Sequence, residues 1–145
     1  MIRVSAEEFD GYMNGTLKIR SKLQGMTEEN PAYADLDKSW KWLEPFFIEL
    51  GKRDKSYLIK AITSTDMLPR VQYTEDEVRS YVNDKWVKHL NEHLAKISAE
   101  EFDDFFTDVD ATFRTNYLKT NFKKLRDLYS EAAQNNEVII QTMAL

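Results

Sequence analysis

Five apolar residues spaced by four, Val78, Val82, Trp86, Leu90 and Leu94, constrain this chain more than any other feature, and Ile97 closes the row. An apolar side chain at every fourth position drifts slowly around a 3.6-residue helix and stays on one broad face for several turns. Thr74 and Glu77 precede the row at capping-box spacing, in which a hydroxyl accepts an early backbone N–H and a carboxylate reaches back to the cap. The pattern predicts one long helix over 75–96.

Other helix starts follow the same logic. Ser5 with Glu8 and Ser98 with Glu101 are capping boxes, and each places acids in a first turn, where the helix dipole favours negative charge. The first start predicts a helix over 5–24, weakened by Gly11 and Gly15 at about 1 kcal/mol each relative to Ala. Leu36, Trp40, Leu43, Phe47 and Leu50 form a further row, predicting a helix over 36–50 that Pro45 kinks or restarts and Gly51 ends. Asp54 is placed to cap a shorter helix carrying Tyr57, Leu58, Ala61 and Ile62. Leu118, Phe122, Leu125, Tyr129 and Ala132 predict a long helix over 111–134. Residues 25–34 and 65–73 read as loops, and the tail from Val138 as a short strand, a half-turn or an extended segment. Ser-Ala-Glu-Glu-Phe-Asp occurs at both 5–10 and 98–103, but the flanks diverge at once, so the match reads as two independent uses of one good helix start.

Only four Gly and three Pro punctuate 145 residues, which disfavours a turn-dense all-β chain. The expected fold is therefore all-α: one domain over 1–145, an irregular bundle of roughly five to seven helices. No apolar run is long enough to span a bilayer, the first eight residues lack the pattern of a secretory leader, and there is no Cys, so a cytoplasmic protein without disulfides or thiolate chemistry is expected.

His89-Leu90-Asn91-Glu92-His93 has the H-x-x-E-H order of inverted zinc peptidases, where histidines one turn apart bind zinc and the glutamate activates water. The match covers five residues, with neither a third ligand nor a second metal-site helix in view. Both histidines border the Val82-Trp86-Leu90 row, and half-buried imidazoles are the expectation there; a metal-dependent hydrolase using His89, Glu92 and His93 is the least favoured reading. The block 98–110 carries six acids and no base. Its Asp108-Val109-Asp110 start lacks the Gly and the Glu that a calcium loop needs, because Phe113 and Lys119 stand there instead. No phosphate loop, nucleophile elbow or dinucleotide turn occurs, and no cofactor or catalytic residue is expected.

Binding is the better-supported class. Arg114, Lys119, Lys123, Lys124 and Arg126, interleaved with Phe113, Tyr117 and Phe122, form a basic, aromatic stretch that suits a nucleic acid. A net charge of −5 and the acidic block just before it oppose that reading. Trp40 and Trp42 point to different sides of one helix, so one of them is expected off the core, and exposed Trp favours protein interfaces. Ile139, Ile140, Met143 and Leu145 make an apolar end that must pack on its own core or on another chain. The expected function is a non-catalytic helical protein that binds another protein, or itself, in a regulatory, adaptor or assembly role.

Overall fold

The row from Val78 to Leu94 divides between two elements. In the computed structural model, which describes residues 1–144, Glu77–Val82 is a β-strand and Asp84–Ala95 a helix. The elements in chain order are β1 (Ile2–Val4), α1 (Ala6–Asn14), α2 (Ile19–Leu23), α3 (Trp40–Asp54), a 3₁₀ turn (Leu58–Ala61), a second 3₁₀ turn (Arg70–Gln72), β2 (Glu77–Val82), α4 (Asp84–Ala95), α5 (Ala99–Phe105), α6 (Ala111–Phe113), a π-helical turn (Arg114–Leu118), α7 (Lys119–Gln134) and β3 (Val138–Ala144). Helices dominate, but the strands pair as a three-stranded antiparallel sheet of order β1-β3-β2, so the fold is mixed α/β and the all-α expectation is corrected.

A spacing of four explains the error. Four is an even number, so Val78 and Val82 share one face of a strand as readily as one face of a helix. Residues 77–82 form a strand because they find an antiparallel partner in β3, some sixty residues further along the chain. Thr74 caps nothing; α4 begins instead at Asn83, whose side chain accepts the Trp86 N–H at 2.9 Å.

The C-terminal run becomes the middle strand. Antiparallel register sets Ile2 opposite Ile140 and Val4 opposite Val138, while Val82 lies opposite Ile139 and Ser80 opposite Gln141. Directly paired residues share a face. On one face Val82 and Ile139 join Leu43, Phe47, Leu90, Leu94, Leu125 and Tyr129 in the larger core. On the other, Ile2, Val4, Val138 and Ile140 join Tyr12, Ile19 and Leu68 in a second core under α1 and α2. A strand covered on both faces reads as a continuous apolar run, which is why Val138-Ile139-Ile140 does not alternate. Short extended segments cover the outer strands: Arg3 donates its N–H to Ala32, Leu68 donates to Arg79, and Tyr81 donates to Asp66. Such covering removes the aggregation hazard of bare edges.

Both capping boxes at Ser5 and Ser98 form, and the second opens the short helix α5. The predicted 5–24 helix ends at Asn14, because Gly15 takes a left-handed φ of 82° that stops it, and α2 starts afresh after Lys18. Gly11 is buried where a Cβ would come within 2.6 Å of Leu17, so the fold-back from α1 requires Gly there. α3 runs through Pro45 to Asp54, later at both ends than the predicted 36–50, and the segment after Asp54 forms only a 3₁₀ turn. The 111–134 helix is continuous, with its second turn widened to π geometry.

Two glutamines tie the layers together. Gln141 is 1% exposed; its amide donates to Lys60 O at 2.9 Å and its carbonyl accepts from Ser64 N at 2.8 Å and Ser80 Oγ at 3.1 Å. Beside it the wholly buried Tyr129 donates to Ala61 O at 2.9 Å, and burial pushes its phenol far above the usual range. A buried polar group with every bond made fixes the register of the elements it joins.

Ile139 packs in the larger core with no exposed surface. Ile139→Ala should therefore cost about 2–5 kcal/mol in urea unfolding, whereas Met143→Ala, at the half-buried end of the same strand, should cost less than about 1.5 kcal/mol. Equal losses at both positions would show that β3 is not the central strand.

Candidate binding surfaces

Helix α3 divides its two tryptophans between different environments. Trp40 is half-buried and lines a cleft of about 780 Å³, together with Tyr33, Asp35, Arg79, Thr142 and Met143. Trp42 is 45% exposed and meets Phe113 edge-on, with ring centroids 5.4 Å apart. Phe113 in turn stacks on Tyr117 at 4.9 Å. The stack spans the start of the π turn, and Leu118, the residue after Tyr117, is buried in the core. Single π turns are frequent at functional sites. Tyr117 donates its hydroxyl to Asp37 at 2.7 Å and accepts the Lys38 N–H at 3.2 Å, locking the turn onto the segment before α3. Those contacts hold the Asp37 carboxyl below its ordinary range, the Tyr117 hydrogen bond contributing most. Asp37 itself sits at a φ of 50°, a left-handed conformation that Asp tolerates.

One turn beyond Trp42, Phe46 is buried, and the ring of Phe105, 36% exposed, lies 4.9 Å from it. Trp42 against Phe113, and Phe105 against Phe46 one turn further along α3, thus place partly exposed rings where α5 and α6 meet α3. Sequence reasoning missed Phe105. The one available signal was the doublet Phe105-Phe106 at the end of a short helix, since neighbours on a helix point about 100° apart and two large rings there need not both reach the core. Phe106 is the buried one, at 3% exposure.

The basic residues of 111–126 are occupied locally. Arg114 and Lys119 both reach Asp103, at 3.5 and 2.8 Å; Lys123 pairs with Asp127 at 2.7 Å and Lys124 with Glu28 at 2.9 Å. Arg126 lies over the Phe122 ring, 5.3 Å from its centroid. No continuous row of free cations is left on this helix for a phosphate backbone to follow.

The apolar end is equally committed. Ile139 and Ile140 have no exposed surface, so they serve the two cores and are not available to a partner. Met143 is half-buried at the cleft, and Leu145 lies outside the described residues.

His89 and His93 are neighbours, with ring centroids 4.7 Å apart, but each faces its own partner. His89 Nε2 lies 2.9 Å from Ser56 O, and His93 Nδ1 lies 3.1 Å from Asp54 Oδ2. Glu92 is exposed, and among the described residues no group of three His, Asp or Glu side chains converges in metal-holding geometry. The two imidazoles join α4 to the end of α3. Partial desolvation raises the Asp54 carboxyl, but hydrogen bonds from Ser56 and the charge of His93 outweigh it and leave it below its ordinary value.

A family model described as a domain of unknown function (DUF1877) matches residues 1–142, and the chain belongs to that family. No curated protein and no solved structure matches it.

A carboxyl whose pKa is lower folded than unfolded stabilises the fold above its unfolded pKa, and that stabilisation fades as pH falls through the folded value. Asp54→Asn should therefore destabilise by no more than about 1 kcal/mol at neutral pH, because the Asp54 carboxyl is 45% exposed and screened by water. The difference from wild type should shrink to nothing in acid, as read by urea midpoints across pH. A difference that persists below pH of about 3 would assign the role to packing instead.

Proposed function

We propose that this protein is a non-catalytic binding module of the cytoplasm that recognises another polypeptide through the aromatic surface of α3, α5 and α6. The observation that carries this reading is the exposure of Trp42, at 45%, edge-on to Phe113, with the exposed Phe105 packed on Phe46 one turn along α3. Trp is the residue most enriched at interface hot spots, and an exposed Trp braced edge-on by a second ring loses little side-chain entropy on binding. In support of a cytoplasmic address, no helix among the described residues is long and apolar enough to cross a membrane, and the chain has no Cys.

The surroundings select the chemistry of the partner. Asp104 flanks Phe105 and Asp108 follows one turn later; both are exposed, and neither forms an ion pair among the described residues. Acids beside an apolar patch favour a segment that offers an aliphatic or aromatic anchor with Lys or Arg next to it, and they raise its association rate more than its final affinity. The occupied cations on α7 support this reading over one in which a nucleic acid is the ligand, since a phosphate chain would have to displace Asp103, Asp127 and Glu28.

Selection from a random peptide display library should enrich sequences with one hydrophobic anchor flanked by Lys or Arg. Trp42→Ala should weaken the selected peptides by at least about tenfold, the loss expected of a hot spot, while leaving thermal unfolding near wild type. Peptides that bind Trp42→Ala and Phe105→Ser as tightly as wild type would overturn the proposal. Sedimentation of wild type at high concentration separates a second copy of the chain from a different partner.

A further inference from the structure

Away from the aromatic surface, the structure holds a second groove, of about 560 Å³, whose walls come from the start of α2 and from the segment 70–75. Its cations are Lys18, Arg20, Arg70 and Arg79, and Ser21 and Thr74 add aliphatic hydroxyls. Glu75 is the lone acid among the lining residues, so a chain of net charge −5 gathers four cations against one carboxylate here. Among the described residues no acid lies within ion-pair distance of Lys18, Arg20 or Arg70. Arg3, Lys22, Lys60 and Lys119, by contrast, each have an acid partner. Three free cations held together repel one another, and an arrangement of that kind is stabilised by a bound anion.

The groove is built from the inside. Gln72 is 2% exposed and spends its whole amide on holding the two walls: Oε1 accepts the Ile19 N–H at 3.0 Å, and Nε2 donates to the carbonyls of Tyr12 and Leu17, each at 2.8 Å. Arg79, 4% exposed, donates to Gln72 O at 2.7 Å and pairs with Glu77 at 3.0 Å. These bonds set Lys18 and Arg20 of one wall against Arg70 of the other. The Arg70 guanidinium rests over the Tyr73 ring, 5.2 Å from its centroid, which orients its planar fork while leaving the N–H edges free. Two further polar atoms of the lining residues, Thr74 Oγ1 and Arg79 Nε, are buried without a hydrogen-bond partner.

We propose that this groove binds the phosphate dianion of a small phosphate monoester. Arginine forks and lysines together suit a dianionic phosphate, through charge-assisted and bidentate hydrogen bonds. The volume far exceeds a free phosphate ion and lies in the range of small-molecule sites. Val71, 53% exposed, and Tyr73 supply apolar wall for the organic part of an ester. The site uses none of the residues of the aromatic surface, so it stands or falls separately from the peptide-binding proposal.

Calorimetric titration of the intact protein with inorganic phosphate, a sugar phosphate and a nucleoside monophosphate tests the assignment. At least one monoester should bind saturably and more tightly than inorganic phosphate. Arg20→Ala and Arg70→Ala, both at exposed positions that leave Gln72 untouched, should each weaken it roughly tenfold or more. Lys41→Ala, at the larger cleft, should change nothing. Three results would overturn the proposal: no saturable binding of any monoester, equal binding by the two arginine variants, or binding of inorganic phosphate alone. Tight binding of heparin or DNA with no monoester binding would replace it with a polyanion surface.

Discussion

The fold depends on β3 being covered on both of its faces. A strand in that position must present apolar side chains in both directions, and Val138, Ile139 and Ile140 do so with almost no exposed surface. It closes the larger helical core on one side and the smaller core under α1 and α2 on the other, and it pairs with strands from near the start and the middle of the chain. Burying three such side chains is worth several kcal/mol, comparable to the net stability of a small domain.

The same strand positions both concave surfaces of the molecule. Its far half, with Thr142 and Met143, forms part of the large cleft beside Trp40, and Thr142 lies opposite Arg79 in register. Arg79 lines both concave surfaces, so the charged groove beside Gln72 is anchored to the sheet itself. Gln141 and Gln72 play matching parts on the two sides, each using a buried amide to join segments distant in sequence. The aromatic surface is a separate feature of α3, α5 and α6, held to the Asp37 segment through Tyr117.

Local physics was legible in the sequence wherever the partners of an interaction are close along the chain. The capping boxes at Ser5 and Ser98, the amphipathic stretch 111–134 and the division of Trp40 from Trp42 all rest on neighbours within a turn or two. The sheet was not legible, because each strand finds its partners far along the chain and a period of four suits a strand as well as a helix. For the same reason the tail looked like an unpartnered apolar end: nothing local reveals that Ile2 and Tyr81 flank Ile140. The basic helix shows the limit in reverse. Its five cations were plain to see, and the acidic block beside it gave a reason to expect neutralisation, but Glu28 as the partner of Lys124 lies 96 residues away. The groove of Lys18, Arg20 and Arg70 was invisible for the same cause, since its walls, far apart in sequence, are joined by the buried amide of Gln72 and by the smaller core.

Native-state hydrogen exchange measures the role of β3 directly. If the strand closes both cores, the amides of Ile139, Ile140 and Gln141 exchange only through global unfolding, as slowly as those of Leu125 and Tyr129 in α7, and their protection falls in parallel with total stability as denaturant is added. Amides of 139–141 that exchange through a low-energy local opening while α7 stays protected would show that the helices fold without the strand, and would contradict the account.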